Sequence, residues 1–163
     1  MRYQATQEMS HPLTAYLAEK YNRPPKLIKK IITLAYAEAT RINVSPLLIL
    51  AMIEQESGFD PLQSNSYGAT GLMQVVGRVH KDKLPLNASL SDLLEPATNI
   101  HVGANILKEY LKKKKGDLNK ALAQYSGNSI GYANKVAISK RALEHRCRGF
   151  SEDSAQLLVA DVY

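Results

Sequence analysis

The sequence predicts an all-α protein, mainly helical, with little or no β-sheet. Three observations predict it. Apolar residues recur at helical spacing in most segments long enough to hold a period. Proline and glycine punctuate the ends of those segments, at Pro24-Pro25, Pro46, Gly58, Pro96 and Gly116. No stretch of real length alternates apolar and polar residues as a half-buried strand does. There is also no internal repeat and no low-complexity region.

The elements follow in chain order. Residues 1–22 hold Leu13, Tyr16, Leu17 and Tyr21, which suit one short amphipathic helix. Arg23-Pro24-Pro25 breaks it, because proline cannot continue a helix and restricts the residue before it. From Lys26 to about Ile42 a stripe of Leu27, Ile28, Ile31, Leu34 and Ala35 marks an amphipathic helix. Ser45-Pro46 reads as an N-cap followed by proline in the first turn. The helix from Pro46 to about Ser57 carries Leu47, Leu48, Ile49, Leu50, Met52 and Ile53 around nearly its whole circumference, so it is buried on most sides. Gly58 ends it, and Asp60-Pro61 continues as a turn.

The span from Leu62 to about Ser91 is rich in Ser, Asn, Gly and Pro and shows no helical period until Leu72. A loop that long inside a compact domain is often functional. Glu95-Pro96 opens the next helix, with Ile100, Ala104, Leu107 and Leu111 on one stripe and Gly116 as the stop. Asp117 caps a short helix bearing Leu118, Ala121, Leu122 and Tyr125, broken near Gly127. A basic helix from about Ser129 to Arg148 and a last one from Ser151 complete the reading.

With 163 residues, 45% of them hydrophobic and 22% charged, one domain with a sizeable core is the default. No apolar run approaches the ~20 residues of a bilayer span. Met1 to Lys20 lacks a positive start followed by an apolar core, so no secretory signal is legible there. Cytosolic work, a removed leader and another export route all stay open on that point. Cys147, the one cysteine, lies in Arg146-Cys147-Arg148, where neighbouring charge can lower a thiol pKa; a structural thiol is the plainer reading. The formal charge of +6 suits an anionic partner and also favours solubility. The basic residues of Lys112 to Lys115 and of the later helix read as solvated helix faces. They show no aromatic interleaving and no nucleic-acid motif, so no nucleic-acid partner is expected. His11, His80, His101 and His145 lack ligand spacing, so neither a metal nor another cofactor is expected.

The chemistry concentrates in Ile53-Glu54-Gln55-Glu56-Ser57-Gly58-Phe59, followed twelve residues after Phe59 by Gly71-Leu72-Met73-Gln74. Carboxyl groups at the end of a very apolar helix, next to a glycine-punctuated loop, suit acid/base work on a glycosidic or ester bond. Glu54 and Glu56 point about 200° apart on a helix and cannot share one small site. Glu56 is the better acid. It lies in the final turn, where unpaired carbonyls disfavour a carboxylate, and Met52 and Ile53 one turn back would desolvate it. Glu54 is expected to make a structural hydrogen bond or ion pair.

Glu56-Ser57-Gly58-Phe59-Asp60-Pro61 and Tyr67-Gly68-Ala69-Thr70-Gly71-Leu72-Met73-Gln74 closely resemble the signature of soluble lytic transglycosylases, in the lysozyme-like superfamily. Two later segments agree in order and spacing. Glu95-Pro96-Ala97-Thr98-Asn99-Ile100 is similar to the family's Pro-x-x-Asn-Ile helix, and Ala121 to Gly127 to its Ala-Tyr-Asn-x-Gly segment. The resemblance runs from about Pro46 to Val136.

That resemblance implies a lysozyme-like fold and cleavage of the bond between N-acetylmuramic acid and N-acetylglucosamine in peptidoglycan. It implies one domain over 1–163, with 1–24 as an N-terminal extension, 26–148 as the catalytic core and 149–163 as a C-terminal helix or tail. Glu56 would be the single acid and then base, with the muramyl C6 hydroxyl as nucleophile and a 1,6-anhydro product. Ordinary glycosidases need two carboxyls about 5–10 Å apart, and no second acidic residue sits in a comparable setting. Met73 and Gln74 would line the groove, Gln74 bonding sugar or acetamido groups. Gly68 and Gly71 would let the backbone pass close to Glu56 and the glycan. The Tyr125 hydroxyl would orient Glu56 or the acetamido group. Asn99 would be a buried structural polar residue, and Tyr132 a further candidate for the groove wall.

Three positions depart from the family pattern. Asn65 stands where a serine is common, and would bridge sugar hydroxyls in its place. Ser126 replaces the asparagine after the family tyrosine. The loop from Tyr125 to Tyr132 is too short for the acidic residue some members carry. The alternatives are a goose-type lysozyme-like hydrolase, recruiting Asp60 or Glu95, and a non-catalytic wall-binding or assembly protein. The expected partners are peptidoglycan strands, met as a monomer in the periplasm or cell envelope, with envelope machinery as a further possible partner.

Overall fold

The computed structural model describes residues 11–150. Among them are six α-helices, a minimal hairpin and two 3-10 turns. The helices are α1 (Leu13–Tyr21), α2 (Pro25–Ile42), α3 (Pro46–Ser57), α4 (Pro96–Lys113), α5 (Leu118–Tyr125) and α6 (Tyr132–Arg146). The hairpin pairs β1 (Ala69–Thr70) with β2 (Val75–Val76), antiparallel, with Ala69 opposite Val76 and Thr70 opposite Val75.

α3 is the central element because it has no polar face to give to water. Leu48, Ile49, Leu50, Ala51, Met52 and Ile53 are buried in unbroken succession, and α2 and α6 pack against it. α4 lies on α2 and α5, and α1 on α2. Each fully buried aliphatic side chain here is worth about 1.5–3 kcal/mol. Ile49→Ala would therefore leave a cavity in the middle of the protein and cost roughly 2–5 kcal/mol.

The helix ends follow their local chemistry. α1, α2 and α3 all stop at a left-handed residue: Asn22, Asn43 and Gly58. Gly58 is the stop expected from the sequence. Asp117 caps α5, accepting the Lys120 amide at 3.0 Å. Ser45 occupies the N-cap of α3, but its side chain caps nothing; Pro46 at the first position sets the helix start without it.

Two sequence boundaries move. The basic helix begins at Tyr132 rather than Ser129, because Asn128 and Gly131 both take positive φ and interrupt the helical path. It ends at Arg146. The helix expected from Ser151 lies outside the described residues. α1 is not peripheral to the packing, since Leu13 and Leu17 are fully buried in the same hydrophobic cluster as α3. No helix among the described residues is long and apolar enough to cross a membrane.

Candidate active site

Glu56 lies in the last turn of α3, at the point where the apolar helix meets the loop. Burial raises its carboxyl pKa to about 7, opposed only in part by the neighbouring Tyr132 hydroxyl. No other carboxylate of the described residues contributes to that shift. The Tyr132 side chain is buried, and its hydroxyl makes no hydrogen bond of ordinary geometry among the described residues. It faces the Glu56 carboxyl closely enough for each to shift the other's proton affinity. Burial pushes the Tyr132 and Tyr125 phenols well up, with the Glu56 charge adding to both. Glu56 is thus a carboxyl with a hydroxyl-rich neighbourhood and no cation to hold it ionised.

The loop beside it is pinned from beneath. Ser57 Oγ donates to the carbonyls of Ile53, at 3.2 Å, and Leu72, at 2.8 Å, tying the helix end to the loop. Asn99, fully buried on α4, accepts the Met73 amide at 2.7 Å. Its Nδ2 donates to the carbonyls of Thr70 and Leu93, both at 2.8 Å. One carboxamide therefore fixes three segments, and its expected structural role holds. Gly71, at φ +76°, lies so close that a Cβ would collide with the Asn99 amide and the Leu93 carbonyl. Gly103 leaves room for the Met73 side chain in the same way, since a Cβ there would stand 2.6 Å from the sulfur.

These contacts reassign several residues expected to meet a ligand directly. The Met73 side chain is fully buried against Gly103 rather than lining a groove, because the loop backbone turns it inward. The Tyr125 hydroxyl donates to the Met73 carbonyl at 2.8 Å instead of orienting Glu56, since that turn carbonyl needs a donor. Gly71 is required by its close approach to Asn99 and the Leu93 carbonyl. Gln74, at φ +49°, donates its amide nitrogen to the carbonyls of Gln63 and Gly71, both at 3.0 Å, which leaves its Oε1 as the group free for a ligand. Asn65 is exposed, and its Oδ1 accepts the amides of Tyr67 and Ala69, both at 3.0 Å. That closes the turn before β1 and keeps its Nδ2 available. Sequence reasoning undervalued Tyr132 and did not single out Ser57. The signal for Ser57 was its place between the acid and the helix-ending glycine.

Glu54 provides the contrast. On the opposite side of α3 it accepts from Lys20 Nζ at 2.7 Å, from Ser139 Oγ at 2.8 Å and from the Tyr21 hydroxyl. Burial opposes its ionisation, yet these donors more than offset that and hold its pKa below the usual value. The ion pair expected for Glu54 is present. Cys147 is half-buried, and burial pushes its thiol up, so the flanking arginines do not activate it. A cavity of about 1060 Å3 walled by Tyr16, Ile138, Arg141 and Arg146 does not reach Glu56. The chemistry marks the site, not that hollow.

Similarity to known proteins agrees with this geometry. The family model described as Transglycosylase SLT domain matches residues 33–145. A protein named Transglycosylase from Enterobacteria phage PRD1 is 31% identical over 93 residues, covering 57% of this chain and 33% of that protein. Soluble lytic murein transglycosylase from Salmonella typhimurium is 27% identical over 136 residues, covering 74% of this chain and 21% of its own length. The Escherichia coli protein of the same name is 27% identical over 129 residues, covering 70% and 20%. The chain spans between about a fifth and a third of the length of these relatives. The chain belongs to the Transglycosylase SLT domain family and has its all-α, lysozyme-like fold.

Proposed function

We propose that the protein is a peptidoglycan lytic transglycosylase with Glu56 as its single acid and base. The observation that carries this is the Glu56 carboxyl itself, whose pKa near 7 keeps a transferable proton at neutral pH with no second carboxylate acting on it. Glu56 donates that proton to the glycosidic oxygen as the bond from muramyl C1 breaks and N-acetylglucosamine leaves. The resulting carboxylate then takes the proton of the muramyl C6 hydroxyl, whose oxygen bonds to C1. Glu56 ends protonated, the product carries a 1,6-anhydro ring, and no water is consumed. A pKa near the working pH suits one group to both halves of this cycle.

The supporting residues follow from their placement. The Gln74 Oε1 and the Asn65 Nδ2 bond hydroxyl or acetamido groups of the sugars. Tyr132 borders the carboxyl and polarises its proton. Met73 and Tyr125 act from behind, by fixing the loop backbone. Of the two carboxylates a hydrolase would recruit, Asp60 is engaged elsewhere, facing Arg23 at 3.3 Å and holding the Leu62 amide. We place the domain across the whole chain, with α1 inside it rather than as an extension, acting as a monomer on wall strands of the periplasm or cell envelope.

Mass spectrometry of digested sacculi tests the reading. Anhydromuramyl ends released by the wild type and not by Glu56→Gln are the expected result. Reducing muramic ends alone would sink it.

A further inference from the structure

Arg78 stands apart from the other cations near the candidate site. It is exposed, two residues beyond β2, yet it is held in place. Its guanidinium lies 4.4 Å from the centre of the Tyr67 ring, and its Nη2 donates to the Tyr67 carbonyl at 3.0 Å. Tyr67 precedes β1 by the same two residues, so the pair bridges the open end of the hairpin. The Tyr67 backbone is in turn fixed by its amide bond to Asn65 Oδ1.

No carboxylate of the described residues pairs with Arg78. By contrast Lys83, on the same segment, is neutralised by Asp82 at 2.8 Å and Glu109 at 2.5 Å. A guanidinium that is stacked, anchored through one nitrogen and otherwise unpaired keeps most of its donor fork free. It is a preorganised receptor for a carboxylate. The conformational freedom that binding would remove is already given up, which is where preorganisation gains affinity.

The closed end of the hairpin, Gly71 to Gln74, abuts the helix end that carries Glu56 through the Ser57 to Leu72 bond. Arg78 is four residues beyond Gln74, so at most about 13 Å of chain separates them. On the transglycosylase reading proposed above, the sugar rings in the groove are neutral, and where a stem is attached the lactyl carboxyl is taken up in the amide that holds it. The anionic groups that hang off a strand at that reach are the carboxylates of its peptide stems.

We propose that Arg78, set by Tyr67, is a specificity-determining residue that binds a stem-peptide carboxylate, so that the protein favours strands carrying stems. This rests on the transglycosylase reading. Tyr67 acts as a positioning residue, without touching substrate. The exposed location means that neither side chain holds the fold together.

The test compares wild type, Arg78→Gln, Arg78→Lys and Tyr67→Ala on three forms of purified glycan strand. One keeps its stems, one has stems whose carboxylates are amidated with carbodiimide and ammonia, and one is stripped by an amidase, leaving only the lactyl carboxylate. Release of anhydromuramyl products is measured, together with sedimentation of each variant in a Glu56→Gln background with the same strands. Arg78→Gln should lose roughly tenfold in kcat/KM and in binding on stem-bearing strands only, the scale of one hydrogen bond to a charged group. Arg78→Lys should recover part of this, and Tyr67→Ala should lose several-fold. Equal behaviour of Arg78→Gln and wild type on stem-bearing strands would overturn the proposal, as would the same loss on all three strands. A loss of equal size on stripped strands would assign the guanidinium to the lactyl carboxylate and overturn the stem reading. Absence of anhydro products from the wild type would refute the transglycosylase reading alone, because the sedimentation arms still report on Arg78.

Discussion

Glu54 and Glu56 are two residues apart on one helix, and their surroundings drive them in opposite directions. Both are withdrawn from water. Glu54 meets an ammonium and two hydroxyls, and stays ionised below its ordinary range. Glu56 meets burial and the nearby Tyr132 and Tyr125 phenols, and keeps its proton to about pH 7. The comparison teaches that burial alone does not decide the charge of a carboxyl; the donors it finds there do. One side of α3 is a clamp that joins α1, α3 and α6, and the other carries a carboxyl with a raised pKa.

The largest expected effect breaks the reactive half of that contrast. Glu56→Gln should lower turnover by about 10³-fold or more, within the span of general acid-base catalysis. It should also stabilise the fold at alkaline pH. The folded carboxyl titrates near 7 and the unfolded one near 4.5. Wild-type stability is therefore fullest below about 4.5 and declines as pH rises through 7. The Gln variant escapes that decline, by at most about 3 kcal/mol at pH 8. Chemical denaturation of both proteins at pH 4 and pH 8 checks it.

Next comes the pin beneath the loop. Asn99→Ala leaves the Met73 amide and two carbonyls without partners in the interior. The expected loss is about 3 kcal/mol, with activity falling in parallel as the loop leaves α3. Urea unfolding and amide exchange at Met73 would report both.

A smaller effect is expected from the clamp. Glu54→Gln should cost about 1–2 kcal/mol at pH 7, discounted because Lys20 is nearly half in water. The low pKa of Glu54 contributes stability above about 4.5 that is lost as pH falls through its depressed value, so the variant should show a flatter acid limb in thermal melts. Turnover should barely change, which separates the two glutamates.

The smallest effect belongs to Tyr132→Phe. Its hydroxyl has no ordinary hydrogen-bond partner, so removing it should alter stability by less than about 1 kcal/mol. The hydroxyl lowers the Glu56 pKa. Its loss should therefore move the alkaline limb of the pH-rate profile to higher pH.

How much was legible in the sequence depended on the range of the interaction. The helices were readable because their periodicity, prolines and caps are local; α3 was the clearest, with apolar residues on every side. The different settings of Glu56 and Glu54 were also local, since helical geometry separates them and the apolar turn before Glu56 is in the chain itself. The roles of Met73, Tyr125 and Gly71 were not readable. Whether a methionine faces a groove or packs on Gly103 depends on where α4 crosses the loop. Whether Tyr125 bonds Glu56 or a carbonyl is settled by a contact across 52 positions. The Lys20, Tyr21 and Ser139 donors to Glu54 come from two other helices for the same reason. A pair such as Tyr67 and Arg78 emerges only once the hairpin register sets them opposite each other.

Glu56 is held protonated by its surroundings while Glu54, on the same helix, is held ionised. Carbon NMR of the glutamate side-chain carboxyls, followed from pH 3 to pH 9 and assigned with Glu54→Gln and Glu56→Gln, tests it most directly. The Glu56 signal should titrate near 7 and the Glu54 signal below its ordinary 4.5. Two signals moving together near 4.5 would contradict it.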